Sequence, residues 1–232
     1  YEHFVKFGQF EGRPGAPAVD TGVPGQTFTL TEGIENLTGS LSNDTFIAGV
    51  TGASNATLTA GDQINGGAGA ADRLNTFGNT NATNFTSATI KSVENVFAQM
   101  TTGGALDVSA NADVKQAWNA NNTTGATGIT LTKAQTGGLE GASGTTATFT
   151  FSDATAATND VATIALNGAT TTTGVTIGGG NVETINLSAT GKNSLGTLTN
   201  AAMTTLNVSG SGSVSATAAA GGALKTIPNR SE

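Results

Sequence analysis

The residues best suited to chemistry are acidic and amide side chains in glycine-rich stretches between positions 34 and 75. Three acids there are each followed two residues later by an apolar residue, in the pairs Asp44 and Phe46, Asp62 and Ile64, and Asp72 and Leu74. Calcium takes six to eight oxygen ligands, including carboxylates and backbone carbonyls, and glycine allows turns that aim carbonyls inward. The spacing therefore predicts calcium-binding turns whose apolar residues are buried between stacked layers of chain.

The candidate calcium ligands combine side-chain oxygens with glycine backbone positions. They are Asn43, Asp44, Asp62, Gly66, Gly67, Gly69 and Asp72. Two alanines separate Gly69 from Asp72 where the calcium-binding repeat Gly-Gly-x-Gly-x-Asp has a single residue, so we expect one site to be open or distorted. The alternative is that these Gly, Asn and Asp residues only form turns, as they do in most loops.

Composition bounds both the fold and the partners. The chain has 232 residues, no cysteine, 42 threonines and a net charge of −7 with nine basic residues. Threonine and asparagine disfavour helices and threonine favours strands, so the chain should be mainly β. Scattered Lys and Arg argue against nucleic acid, and no apolar run is long enough for a membrane span. The absence of cysteine is compatible with an exported protein.

The first 26 residues differ in composition from the rest. Residues 1–13 contain four of the eleven Phe and Tyr residues, and Phe4 and Phe7 lie three apart, as on one face of a helix. We expect a short N-terminal helix there, the end of an upstream helical module, followed by a Pro- and Gly-rich linker. The predicted domains are residues 1–26, a calcium-binding β region at 27–80, and a Thr/Ala/Gly-rich β-solenoid at 81–232.

A repeat of 21 residues marks the C-terminal third. Val161, Val182, Met203 and Leu224 each begin the pattern aliphatic-x-Thr-aliphatic. Four units at a fixed period indicate a solenoid in which one strand per coil stacks on the next. An antiparallel β-sandwich with evenly spaced strands is the alternative. Because a coil buries apolar residues only against its neighbours, we expect the chain to continue or another subunit to cover this end.

The sequence offers few groups for catalysis. Its one histidine is His3, and it has neither a Gly-x-Ser-x-Gly elbow nor a phosphate-binding Gly-x-x-x-x-Gly-Lys motif. Acid pairs such as Asp153 with Asp160, or Glu94 with Asp107, could serve a glycosidase, but nothing in the sequence marks them as a pair. We therefore expect no enzyme activity.

Several segments of the turn region carry a family resemblance. They are Leu37 to Ser40, Asn43 to Gly49, Leu58 to Asp62, and Ile64 to Gly69 with Asp72 to Asn75. These segments closely resemble the start of the calcium-dependent crystalline domain of proteobacterial surface-layer (S-layer) proteins, which belong to the wider RTX class exported by type I secretion. The resemblance is specific over about Phe28 to Ala98 and compositional elsewhere.

The resemblance implies a secreted structural protein that forms a two-dimensional lattice on the bacterial cell surface. Calcium would order its fold and bridge its subunits, and the expected partners are copies of the same chain and cell-surface polysaccharide. Each candidate ligand given above matches an acid, amide or backbone position of the family's turn motif. A secreted RTX adhesin that binds carbohydrate or a host surface is the alternative, with Trp118 and neighbouring asparagines as the candidate sugar-binding residues. A polysaccharide-degrading β-helix enzyme is a third possibility.

Overall fold

The computed structural model of the chain describes residues 24–49, 56–78, 88–100, 102–122, 125–156, 159–178 and 181–220. This described part is mainly β and contains no helix. Every strand pair in it is parallel, and the strands stack as a β-solenoid. The predicted solenoid is therefore confirmed, and the antiparallel sandwich is wrong. The predicted N-terminal helix lies outside the described residues.

One strand from each coil forms the first face of the solenoid. These strands are β1 (Thr27–Thr29), β3 (Thr45–Gly49), β5 (Arg73–Gly78), β7 (Asn95–Met100), β9 (Gln116–Asn122), β11 (Thr136–Ser143), β13 (Asp160–Thr170), β15 (Val182–Thr190) and β17 (Thr205–Ser209). They pair in this order, each with the strand one coil away. The corner just before each first-face strand is the feature on which the candidate site depends.

The second face consists of two separate groups of strands. The first is a three-stranded sheet of β2 (Asn36–Thr38), β4 (Gln63–Asn65) and β6 (Thr89–Lys91). The second contains β8 (Gly104–Asp107), β10 (Ala126–Leu131), β12 (Thr146–Phe151), β14 (Gly174–Gly178), β16 (Lys192–Asn200) and β18 (Ser213–Ala220). Among the described residues, strand pairing joins this second group to the first face at one residue pair, Thr170 with Ser194.

Alternation of apolar and polar residues explains why these segments form strands. In β12, Phe149 and Phe151 are buried while Thr148 and Thr150, which alternate with them, are partly exposed. In β5, Leu74 is buried and its neighbour Arg73 is partly exposed. This two-residue period is that of a strand with one buried face. The buried residues of successive coils form one continuous apolar core.

The register agrees with the 21-residue repeat in one step and differs from it by two residues in another. Ile185 pairs with Leu206, which lies 21 residues later, as predicted. On its other side Ile185 pairs with Ala162, and one residue of this difference arises at a bulge beside Val161. A two-residue slip keeps each side chain on its face of the sheet. Val161, however, is 41% exposed, whereas Val182, its predicted equivalent, is fully buried. The predicted unit at Leu224 lies outside the described residues.

The first face continues across the predicted domain boundary at residue 80. There β5 pairs with β7 along its whole length, from Arg73 with Asn95 to Gly78 with Met100. The feature that changes near this boundary is the second face, where the three-stranded sheet ends at β6 and the longer group begins at β8. The division at residue 80 stays a prediction. None of the described segments forms a helix of the length and apolarity needed to cross a membrane.

Candidate metal site

Acidic side chains link successive coils at the corner before the first-face strands. The main-chain N–H of Gln26 donates to Asp44 Oδ1 at 2.5 Å, and that of Asp44 donates to Asp72 Oδ1 at 2.6 Å. The N–H of Asp72 in turn donates to Glu94 Oε2 at 2.9 Å. Asp44, Asp72 and Glu94 are called the carboxylate ladder below. Because N–H bonds to a charged acceptor are among the stronger hydrogen bonds, the ladder holds each coil on the next.

Asp72 is the member of the ladder with an unsatisfied oxygen. Its side chain is fully buried, and Oδ2 has no hydrogen-bond donor among the described residues. Burial raises the pKa of Asp72, the hydrogen bond from the Asp44 N–H opposes the rise, and the charges of Glu94 and Asp44 reinforce it. An ionised carboxylate in such a place is costly unless a cation or a set of donors compensates it. Oδ2 is therefore a candidate ligand atom.

Two glycines lie directly against the Asp72 carboxylate. A β-carbon on Gly66 would be 2.6 Å from Asp72 Oδ2 and would overlap the Ser92 carbonyl oxygen. A β-carbon on Gly69 would be 2.7 Å from Asp72 Oδ1 and 2.6 Å from the Ser42 carbonyl oxygen. These positions require glycine because no side chain fits. The Ser42 and Ser92 carbonyl oxygens consequently lie near the carboxylate.

Asn43 and Gly67 shape the turn. Asn43 Oδ1 accepts the N–H groups of Ala70 at 3.1 Å and Ala71 at 3.0 Å. These are the two alanines that lengthen the motif, so the preceding coil holds the additional residue in place. Gly67 has a φ of +99°, a conformation that favours glycine. The lengthened turn still brings Asp72 against Gly66 and Gly69.

Asp44 and Asp62 are buried, and both oxygens of each accept hydrogen bonds. Asp44 Oδ2 accepts the Ser40 N–H at 2.5 Å, in addition to the ladder bond at Oδ1. Asp62 Oδ1 accepts the Glu35 N–H at 2.9 Å, and Oδ2 accepts the Thr59 N–H at 2.6 Å. Asp62 precedes β4, so it lies at a different corner from the ladder. The structure thus links Asp44 to Asp72 and places Asp62 apart from them.

Two acids outside the predicted set of calcium ligands belong to these corners. Glu94 completes the ladder, and Glu35 donates its N–H to Asp62. Glu35 Oε2 is a further buried oxygen without a donor among the described residues, while Oε1 accepts bonds from Thr31. Both acids occur in the pattern aliphatic-Glu-Asn-aliphatic, at 34–37 and 93–96, which is the sequence signal that could have identified them.

No three His, Cys, Asp or Glu side chains lie close enough together to hold a metal by themselves, in the part of the chain that the structure describes. A metal at Asp72 would therefore need backbone carbonyl oxygens as well. Calcium accepts such ligands readily, and it tolerates irregular geometry. The candidate ligand atoms near Asp72 are carboxylate and carbonyl oxygens, which suit a hard cation better than zinc or copper.

Trp118 belongs to a stack on the outer surface of the first face. Its ring lies parallel to Phe97, with centroids 5.4 Å apart and an interplanar angle of 4°. The Arg73 guanidinium lies 3.5 Å from the Phe97 centroid on the next coil. On the other side the indole covers Gly138, where a β-carbon would overlap the ring. Because both faces of the indole are covered, Trp118 offers no free face for a sugar.

Comparisons of the chain with protein-family models, with curated proteins and with solved structures found no match. The fold and the site by themselves define the class of protein, a parallel β-solenoid with acidic, glycine-lined corners.

Proposed function

We propose that this chain is a structural part of a secreted surface-layer protein, which calcium stabilises and which self-assembles into a lattice on the bacterial cell surface. The observation that carries the proposal is the buried Asp72 Oδ2, which has no donor and lies against Gly66 and Gly69. The same residues carry the resemblance to calcium-dependent S-layer proteins.

The electrostatics of the ladder support a divalent cation. The charges of Asp44 and Glu94 both act on Asp72 and raise its pKa further. A cation bound at Oδ2 would offset this repulsion and compensate the buried charge. Asp72 would supply the side-chain ligand, and the Ser42 and Ser92 carbonyls, which face the same two glycines, are candidates for backbone ligands. Glu35 Oε2 is the corresponding candidate at the other corner.

The shape of the fold supports a structural role. Each coil of a solenoid contacts only its neighbouring coils, so the stack is extended in one direction and presents long, regular surfaces. The outward side chains of its later coils are mostly polar, and Asn207 donates to Asn186 Oδ1 at 2.8 Å along one such row. Regular polar rows of this kind suit packing of identical copies, which is the homo-oligomeric partner that we propose. Cell-surface polysaccharide is proposed as the anchor.

The test is to follow folding and assembly of the purified chain as calcium is added and removed. Circular dichroism and light scattering would be recorded in about millimolar calcium, the range of extracellular calcium modules, and then in excess chelator. We expect calcium to increase the β signal and to produce sheets visible by electron microscopy. Magnesium at the same concentration is the control. Folding and assembly that proceed equally in chelator would reject the proposal.

One observation favours a carbohydrate-binding adhesin as the second candidate. A surface concavity of about 210 Å³ on the first face is lined by Arg73, Phe77, Gln99 and Asn121, among others. Phe77 is 47% exposed, so its ring can pack against a sugar. The amide groups of Gln99 and Asn121 could bind hydroxyl groups.

Saturation-transfer NMR with glucose, galactose and mannose would test this second candidate. If the adhesin function holds, the calcium-loaded monomer binds one of these sugars and Phe77→Ala abolishes binding. Val161→Ala removes another exposed apolar side chain, on a distant coil, and is the control. Binding that survives Phe77→Ala would exclude this concavity as the site.

A further inference from the structure

The residue type at the position of the carboxylate ladder differs between the early and the later coils of the solenoid. Strand registers align Asp44, Asp72 and Glu94 with Lys115 and then with Gln135, because the residue after each pairs with the residue after the next. The side chains of the first three offer only oxygen acceptors, whereas those of the last two carry a nitrogen donor. Lys115 Nζ donates to the Ala112 carbonyl at 2.7 Å. The change from acidic to nitrogen-bearing side chains therefore falls between Glu94 and Lys115.

Gln135 has the most distinctive environment of these residues. Its side chain is buried, and Nε2 lies 3.0 Å from the Val108 carbonyl oxygen, 2.9 Å from that of Asn111 and 3.0 Å from that of Val114. Its Oε1 accepts the N–H of Thr132 at 2.8 Å. Three carbonyl oxygens that converge on one point form the kind of oxygen cage that a cation would fill. Here an electropositive amide nitrogen fills it.

Buried Asp160 shows the same compensation for a carboxylate. Its N–H donates to Glu183 Oε2 at 2.8 Å, which repeats the bond between Asp72 and Glu94. Asp160 Oδ1, however, lies 2.6 Å from Lys133 Nζ. The buried acid of this later corner therefore has a cationic partner within the chain, where Asp72 Oδ2 has none among the described residues.

Asn193 repeats the arrangement of Gln135 further along. It is buried, and its Nδ2 donates to the carbonyl oxygens of Thr190 at 3.1 Å, Gly191 at 3.2 Å and Ser213 at 3.0 Å. Lys133, Gln135 and Asn193 are called the nitrogen caps below. Gln135 and Asn193 donate to backbone carbonyl oxygens, and Lys133 pairs with the buried carboxylate of Asp160.

We propose that the nitrogen caps take the place of calcium, so that calcium orders the coils within residues 24–100 while the coils within residues 102–220 fold without it. The calcium dependence of residues 24–100 rests on the calcium binding proposed above. The solenoid is thus divided into a calcium-dependent part and a self-sufficient part that share the first face. Strands β7 and β9, which pair across the division, are where the two parts meet. Removal of calcium should then loosen one end of the molecule and leave the other folded.

Hydrogen exchange measured by mass spectrometry on the whole chain tests the division. In chelator, peptides from residues 24–100 should exchange at least about tenfold faster than in calcium, whereas those from 125–220 should change less than about twofold. If both parts respond to calcium, the division is overturned and the calcium proposal stands. If neither part responds, the calcium proposal itself fails, and with it the first half of the inference.

A variant of Gln135 tests the second half separately. Gln135→Met keeps the length of the side chain but removes the nitrogen and also the oxygen that accepts the Thr132 N–H. Peptides around residues 108–135 should therefore exchange about tenfold faster in calcium and in chelator alike. Gln63→Met, at an exposed position of β4, is the control and should leave the exchange of these peptides unchanged. Should Gln135→Met fail to fold, Lys133→Met gives the same test at Asp160. Unchanged exchange at both corners would overturn the role of the nitrogen caps.

Discussion

At the scale of single residues, the two oxygens of Asp72 have different roles. Oδ1 accepts the Asp44 N–H and so belongs to the ladder, whereas Oδ2 is buried with no donor among the described residues. An asparagine could keep the first interaction and remove the unpaired charge. Asp72 is therefore the residue at which structural and cation-binding roles can be separated.

Asp72→Asn should change stability in opposite directions with and without calcium. In chelator we expect the variant to be more stable than the parent by about 1 kcal/mol, because a buried, unpaired charge is removed. In calcium the parent should gain stability from binding, and the variant should gain much less. Urea unfolding in both buffers measures the difference. Glu32→Gln, at an exposed acid, is the control; equal calcium responses of parent and Asp72→Asn would contradict the prediction.

The pH dependence of the calcium-free protein follows from the raised pKa of Asp72. A carboxyl group whose pKa is higher in the folded state binds its proton more tightly there, so its contribution to stability falls as pH rises from the ordinary pKa through the raised one. In metal-free buffer, the parent should lose stability relative to Asp72→Asn as pH rises above the ordinary aspartate pKa of about 4, until the raised pKa is passed. A stability difference that stays constant over this range would contradict the assignment.

At the scale of single elements, the turn between β4 and β5 has almost no free space. Gly66→Ala should cost about 2 kcal/mol or more, because the new methyl group would overlap the Ser92 carbonyl and the Asp72 carboxylate. Gly128→Ala is the matched control, since its β-carbon would meet only the Ala105 side chain at 3.9 Å. We expect this control to stay within about 0.5 kcal/mol of the parent. Thermal unfolding in calcium measures both, and equal effects would contradict the close approach at Gly66.

The bulge beside Val161 makes two valines of the repeat unequal. Val182→Ala should cost about 2 kcal/mol because the side chain is fully buried, whereas Val161→Ala should cost less than about 0.5 kcal/mol. The sequence repeat alone predicts similar costs for both. Denaturant unfolding of the two variants distinguishes the observed register from the unbroken 21-residue register.

At the scale of the whole molecule, the sequence predicted the parallel solenoid and not the relation between its corners. The repeat at Ile185 and Leu206 preserves residue type as well as spacing, so it identifies stacked coils directly. The sequence spacing could not identify the ladder. The residues two positions after its acids pair with one another on successive strands, but they are unevenly spaced in the sequence; they are Phe46, Leu74 and Val96. Gln135 carries no motif at all. Its role depends on three carbonyl groups that only the folded turn brings together.

The candidate ligands show the same limit. The glycine pattern correctly indicated tight turns around Asp72, but it could not distinguish the fully hydrogen-bonded Asp44 and Asp62 from the incompletely bonded Asp72. That distinction depends on which donors the neighbouring coil presents. Whether calcium binds there stays a prediction.

Calorimetric titration of the parent and of Asp72→Asn with calcium tests the central claim most directly. We predict saturable binding by the parent, with a dissociation constant of about 0.1 to 1 mM as in extracellular calcium modules, and loss of at least one site in the variant. Asn43→Ala would separately show whether the lengthened turn is needed for that affinity. Calcium binding that is absent from the parent, or that is identical in Asp72→Asn, would contradict the account.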